Sequence, residues 1–305
     1  MYIKKISSLI MAGILMVSAV GCSEAKGTED RESMTLKVGV MPAVDSAPIF
    51  LAEEKGYFSD LGLDIEVQVY TNAMNRQSAL QSGELDGAMT DVIALVNNVE
   101  NGFDIKVTTS TDGAFPFLVN PNYADSKEVK VGMMEISVSN YLADKSLKDY
   151  EVEKVYINEI PARMEMVGAG SLDMAVIPEP VASNGELNGL KKIMIENNEE
   201  FSPDVMVFTG STIKNKSKEL KAFHEAYNKA VEDINEDDQE AREILISKLE
   251  LKAEIKDKIL IPEYNQARVP DKAYLEGIMK WNKEVLGKEI NLKYEDLVDG
   301  SFVND

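Results

Sequence analysis

The chain has 305 residues and a formal net charge of −21, with 53 acidic residues against 32 basic ones, one cysteine and one histidine. That acidity repels nucleic acid and anionic lipid headgroups, so neither is expected as a partner. A single cysteine leaves no disulfide and no zinc-thiolate cluster.

The N-terminal stretch predicts an address. Lys4 and Lys5 precede "ISSLIMAGILMVSAV", an apolar run too short for a comfortable membrane span, and "AVGC" follows at Ala19–Cys22. The arrangement resembles a bacterial lipoprotein signal. On that reading residues 1–21 are removed and Cys22 is lipidated, so its thiol is not available to a folded domain as a nucleophile. Loss of Lys4 and Lys5 takes the net charge from −21 to −23. Residues 22–34, including "SEAKGTEDRES", are polar and aperiodic, as expected of a flexible tether. The expected location is the extracytoplasmic face of the cell membrane, held there by the lipid.

From Thr35 onward about 270 residues remain, a length suited to two lobes. "LKVGV" at 36–40 predicts a strand, followed by the turn-rich "MPAVDSAP" and a helix over "IFLAEEKGYF". "LGLDIEVQVY" is a second strand and "NRQSALQSG" a helix that Gly83 ends. "LDGAMT" is a short strand, "DVIALVNNVENG" a helix with Asp91 at its N-cap, and "FDIKVTTS" a further strand. After "FPFLVNPNY" the rhythm restarts through "VKVGMM", "SVSNYLADKSL", "EKVYI", "PARMEMVGAG" and "LDMAVI". Alternating strands and helices predict parallel-rich sheets with helices on both faces. Beyond "DVMVFTG" three charged amphipathic helices predict a C-terminal helical cover returning to the first lobe. Two extended crossings, near Leu118 and Phe208, form a hinge. The domain reading is therefore lobe 1 at 35–118 and 208–305, and lobe 2 at 119–207.

The phrase Gly-x-Leu-Asp-x-Ala occurs twice, in "SGELDGAMTD" (82–91) and "AGSLDMAVIP" (169–178). A glycine ends a helix, a leucine packs, an aspartate turns the chain and a strand of small residues follows. Asp86 and Asp173 are read as turn formers. In an open parallel α/β sheet ligands bind beyond the C-terminal strand ends, here Thr90–Asp91 and Pro178–Glu179.

"KVGVMPAVDSAPIFLAEEKGYFSDLGLDIEV" resembles the opening of ABC-importer substrate-binding proteins of the nitrate/sulfonate/taurine and thiamine-pyrimidine-precursor group. The phrase A-x-x-K-G-Y-F-x-x-x-G-L-D-[IV], here Ala52–Ile65, carries most of the likeness. "GSLDMAVIPEP" and the closing "YEDLVDGSFV" extend it over nearly all of the chain after the tether. The resemblance implies a two-lobed α/β fold, periplasmic-binding-protein type 2, closing over a small molecule. The implied partners are an ABC permease and its ATPase subunit; the protein is expected to be a monomer without cofactor.

The expected ligand-binding residues are Asp45, Ser46, Thr90, Asp91, Phe115, Glu135, Ser137, Ser139, Asn140 and Glu179. Ser137 and Ser139 lie near a helix start whose free N–H groups could hold an anion, or simply be capped. Acids at strand ends (Asp45, Asp91, Asp112, Glu135, Glu159, Glu179) outnumber the two arginines of the corresponding loops, Arg76 and Arg163. Unpaired carboxylates in a closed cleft disfavour an anion by several kcal/mol, to an order of magnitude. They suit an amine or an N–H-donating heterocycle such as an aminopyrimidine. A sulfonate, taurine or nitrate ligand is the alternative, as is a surface sensor feeding a membrane receptor.

Catalysis is not expected. His224 lies within a long amphipathic helix, read as a packing residue, and no second histidine or free thiol completes a triad. "DINEDDQEAREI" departs from a calcium loop at Asp238 and Ile244, and no phosphate loop is present. No metal site is expected.

Overall fold

A computed structural model describes residues 34–124, 126–195 and 204–303. Cys22, the expected leader at 1–21 and the expected tether up to Ser33 lie outside them.

Two five-stranded sheets are built to one plan. The first joins β1 (Met34–Val40), β2 (Leu63–Val69), β3 (Gly87–Asp91), β4 (Ile105–Thr111) and β10 (Asp204–Thr209) in the order β2-β1-β3-β10-β4. The second joins β5 (Phe117–Val119), β6 (Glu128–Met133), β7 (Glu151–Tyr156), β8 (Met174–Val176) and β9 (Lys191–Ile193) in the order β7-β6-β8-β5-β9. In each, the fourth strand arrives from the other lobe: β5 enters from β4, and β10 follows β9. These incoming strands run antiparallel to their neighbours, β10 to β3 and β4, β5 to β8 and β9. The β1–β2, β1–β3, β6–β7 and β6–β8 pairs are parallel, the pattern expected from strand-helix alternation.

The repeated phrase is a repeated structure. In β1 the Lys37 amide donates to Asp86 Oδ2 at 2.8 Å, and the Asp86 amide returns a bond to the Lys37 carbonyl at 2.8 Å. In β6 the Lys130 amide donates to Asp173 Oδ2 at 2.7 Å, and the Asp173 amide donates to the Lys130 carbonyl at 2.9 Å. The glycines three positions earlier, Gly83 and Gly170, take φ of 78° and 74°. That left-handed backbone strains any residue with a Cβ and ends each preceding helix.

The helices α1 (Ala47–Glu54), α9 (Ser217–Glu236) and α10 (Gln239–Lys248) bury one face of the first sheet, with Phe50, Phe208, Phe223 and Tyr227 in its core. The predicted first helix breaks at Gly56 (φ 73°), and α2 (Tyr57–Asp60) restarts it. A second apolar cluster is continuous from lobe to lobe. It joins α4 (Val92–Glu100) and α11 (Lys272–Val285) to α5 (Val138–Ser146) of the second lobe. Trp281 of α11 donates its indole N–H to Asp144 Oδ2 at 3.0 Å and meets Tyr141 edge-on, ring centroids 5.6 Å apart. A third, smaller cluster lies beneath α6 (Ile160–Gly168) and α7 (Val181–Leu187). No helix among the described residues is long and apolar enough to cross a membrane.

Candidate functional site

A cavity of about 590 Å³ lies between the lobes, a size typical of small-molecule sites. Its first wall comes from the loop after β1, from α3 (Ala73–Gln81) and from the β3–α4 corner. Its second comes from the loop after β6, the start of α5, and α6. Both walls lie at C-terminal strand ends, where parallel strands and helix starts leave room for a ligand.

Two buried arginines face the cavity from corresponding helices. Arg76, in α3, is 5% exposed; one N–H of its guanidinium donates to Thr90 Oγ1 at 3.1 Å, and its Nε has no partner. Arg163, in α6, is 2% exposed; it donates to the Val176 carbonyl at 3.0 Å, and its Nε also has no partner. Burial lowers the pKa of both, Arg163 to about 10. The charges of Asp91, Asp204 and Asp45 act in the opposite direction at Arg76, whereas only Glu159 does so at Arg163.

The first wall also holds acids. Asp45, in a short 3₁₀ turn at Val44–Ser46, is 2% exposed and lines the cavity with Asp204. The two carboxyls lie close enough to act on one another. Burial pushes Asp45 up to about 6; burial and the neighbouring Asp45 charge hold Asp204 well above the usual carboxylate range. Asp91 caps α4 by accepting from the Ala94 amide at 2.8 Å. Burial raises its pKa, opposed by that amide, by Arg76, and by the backbone N–H of Val138 at the start of α5 in the opposite lobe.

Of the ten residues singled out in the sequence, Asp45, Thr90, Asp91, Phe115, Glu135, Ser137 and Ser139 line the cavity. The other three lie behind its wall. Ser46 donates to the Met41 carbonyl at 2.8 Å, and Asn140 donates to the Glu135 carbonyl at 2.8 Å. Glu179, fully buried, pairs with Lys192 at 2.8 Å and accepts from the Ser183 hydroxyl and amide. Ser137 caps α5 at the Ser139 amide, 3.1 Å away. Of the remaining acids, Asp112 is committed to Arg268 at 2.6 Å, and Glu159 accepts from Asn72 across the cleft mouth. His224 is buried and faces the carbonyls of Leu220 and Thr108.

Arg76, Arg163 and Asp204 were not among the chosen residues. A signal for the arginines was present: Arg-x6-Gly-x-Leu-Asp occurs at Arg76–Asp86 and again at Arg163–Asp173. The echo extends back from each glycine to an arginine. Asp204 carried no such mark, because it enters the site on an antiparallel strand from the other lobe.

Two lobes on one strand plan, meeting at a cleft, define a protein of the periplasmic-binding-protein type 2 fold. The chain belongs to the NMT1/THI5-like family, whose model matches residues 43–241. It is similar to a putative ABC transporter periplasmic binding protein of Brachyspira hyodysenteriae, 21% identical over 272 residues, covering 80% of this chain and 78% of that one. Its fold is shared with the ligand-binding component of an ABC-type import system from Staphylococcus aureus (TM-score 0.74, 16% identity, 88% of this chain and 97% of that one). The alkanesulfonate-binding protein SsuA from Xanthomonas axonopodis pv. citri shares it too (TM-score 0.72, 15% identity, 87% and 98%). In the first curated relatives the match spans only 9% and 10% of their length.

Proposed function

We propose that the protein is an extracytoplasmic solute-binding protein that captures a small molecule between its lobes and delivers it to an ABC permease. It binds and releases, without turnover. The observation that carries this reading is the interlobe cavity, into which both walls present buried polar groups with unmet hydrogen-bonding capacity. The expected crossings near Leu118 and Phe208 fall inside strands, so the lobes follow the sheets instead: lobe 1 takes 34–111 and 204–303 and lobe 2 takes 117–193, and Cys22 carries the lipid that keeps the protein beside its permease. A solute that touches both walls stabilises the closed state over the open one, and that differential contact drives closure.

The site consists of Asp45, Thr90, Asp91, Phe115, Glu135, Ser137 and Ser139, joined by Arg76, Arg163 and Asp204. The acids of the first wall favour an amine or an N–H-donating heterocycle, aminopyrimidines included. Arg163, a buried cation without an ion-pair partner among the described residues, favours a second reading, a sulfonate-like anion. A thermal-shift screen with aminopyrimidines, thiamine, cationic amines, alkyl sulfonates and nitrate tests the proposal. A solute at a hundred times its Kd adds about 2.7 kcal/mol of stability, several degrees for a chain of this size. Failure of every class to shift the transition counts against solute binding.

A further inference from the structure

We infer that the solute is amphoteric, its anionic group seated on Arg163 of the second lobe and its N–H-donating cationic group on Asp45, Asp204 and Asp91 of the first. The inference rests on the solute-binding reading above and narrows it to a ligand class.

The two walls differ in charge. On the second, Arg163 is the buried ionisable group facing the cavity. Among the described residues no carboxylate forms an ion pair with it and Glu159 acts on it only at longer range, one of its N–H groups is taken by the Val176 carbonyl, and its Nε is unpartnered. A guanidinium offers five donors in a planar fork suited to a carboxylate or sulfonate. Glu135, the acid of that wall, is exposed at its rim. On the first wall three carboxyls surround one guanidinium, Arg76, which is itself held by Thr90. Asp45 Oδ1 is buried and has no hydrogen-bond partner among the described residues. Asp45, Asp204 and Asp91 thus outnumber Arg76 on that wall.

Closure removes water from both walls. A purely anionic solute would neutralise Arg163 and press its charge against the acids opposite. A purely cationic one would satisfy those acids and leave Arg163 buried without a counter-charge, an arrangement that is strongly unfavourable. A molecule with both groups compensates both walls in one closed state. Met41, Met74, Met89 and Phe115 give the same cavity soft apolar surface for the body of such a molecule.

The test uses matched sets of one skeleton: 4-(aminomethyl)benzoate with 4-methylbenzoate and 4-methylbenzylamine; 3-aminopropanesulfonate with propanesulfonate and propylamine. Affinities are read by titration calorimetry, and closure by Trp281 emission. In at least one set the member with both groups is expected to bind at least tenfold more tightly than either partner. Arg163→Gln is expected to reduce it to the level of the plain amine, and Arg163→Lys to retain part of the preference, with circular dichroism confirming the fold of each. A single-charge or neutral solute, such as an aminopyrimidine, binding as tightly as any amphoteric one overturns the inference and leaves solute binding standing. So does an unchanged preference in Arg163→Gln. If no compound of any charge class binds, solute binding and the inference fail together.

Discussion

Arg76 and Arg163 hold the same place in two copies of one structural unit. Each stands ten residues before the aspartate that ties its helix-strand turn to the neighbouring strand, and each faces the cavity from its own lobe. Beneath them Gly39 and Gly132 make way: an added Cβ would lie 3.2 Å from Arg76 Cγ and 3.6 Å from Arg163 Cγ. The repeat therefore does more than build two similar sheets. It delivers one buried cation to each wall of the cleft, and the first also sets Asp45, Asp91 and Asp204 around its own, whereas the acid lining the second, Glu135, is exposed at the rim.

The turn aspartates should be felt locally and alike. Asp86→Ala and Asp173→Ala each leave a strand amide without its side-chain acceptor, at a cost of roughly 1 kcal/mol. Amide hydrogen exchange should accelerate at Lys37 in the first variant and at Lys130 in the second. Equal exchange in variant and wild type would remove the aspartates from that role.

The carboxyl pair should make stability depend on pH. Asp45 and Asp204 have folded pKa values above the unfolded one, so the folded state holds more protons. Their contribution is complete below about pH 4 and is lost as pH rises through about 6 and beyond. Asp45→Asn removes one of the coupled groups. Its stability relative to wild type should therefore grow between pH 4 and pH 7, measured by urea unfolding across that range. A difference that is flat in pH would contradict the pairing.

Glu179 is fully buried, and Lys192 is its only ion-pair partner among the described residues. Lys192 also donates to the Lys258 carbonyl at 2.7 Å, joining the second lobe to the C-terminal cover. Lys192→Met leaves a buried charge uncompensated and should destabilise the protein by about 3–5 kcal/mol. Combining it with Glu179→Gln should recover much of that loss. A cost below about 1 kcal/mol for the single variant would contradict a stabilising ion pair between Lys192 and Glu179.

Trp281, the single tryptophan, spans the lobes through Asp144 and Tyr141. Opening the cleft should expose the indole and move its emission to longer wavelength, and a saturating solute should move it back. An emission spectrum insensitive to a solute that raises the melting temperature would mean that the lobes do not part at α11.

Much of this architecture was legible in the sequence, because strand-helix alternation and the repeated Gly-x-Leu-Asp phrase are local signals. The turn role of Asp86 and Asp173 followed from residue type and spacing alone. The antiparallel entry of β5 and β10 was not legible, since a strand's partners are chosen by segments far away in the chain. The same limit hid Asp204 from the site. Glu179 illustrates a different gap: a carboxylate at a strand end can turn inward to a lysine thirteen residues on, and strand-end position does not reveal which way it turns. Counting acids against bases also treated committed groups as free; Asp112 and Glu179 are paired, while Arg163 has no ion-pair partner among the described residues.

The most direct test of the account is a calorimetric titration of wild type and two variants, one from each wall, with the solute giving the largest thermal shift. Wild type should bind one molecule per chain. Asp91→Asn, which can still cap α4, and Arg163→Gln should each weaken binding by about 2–5 kcal/mol, the cost of unpairing a buried charged contact. Unchanged affinity in both variants with the fold intact, or more than one site per chain, would contradict capture of a single solute between the lobes.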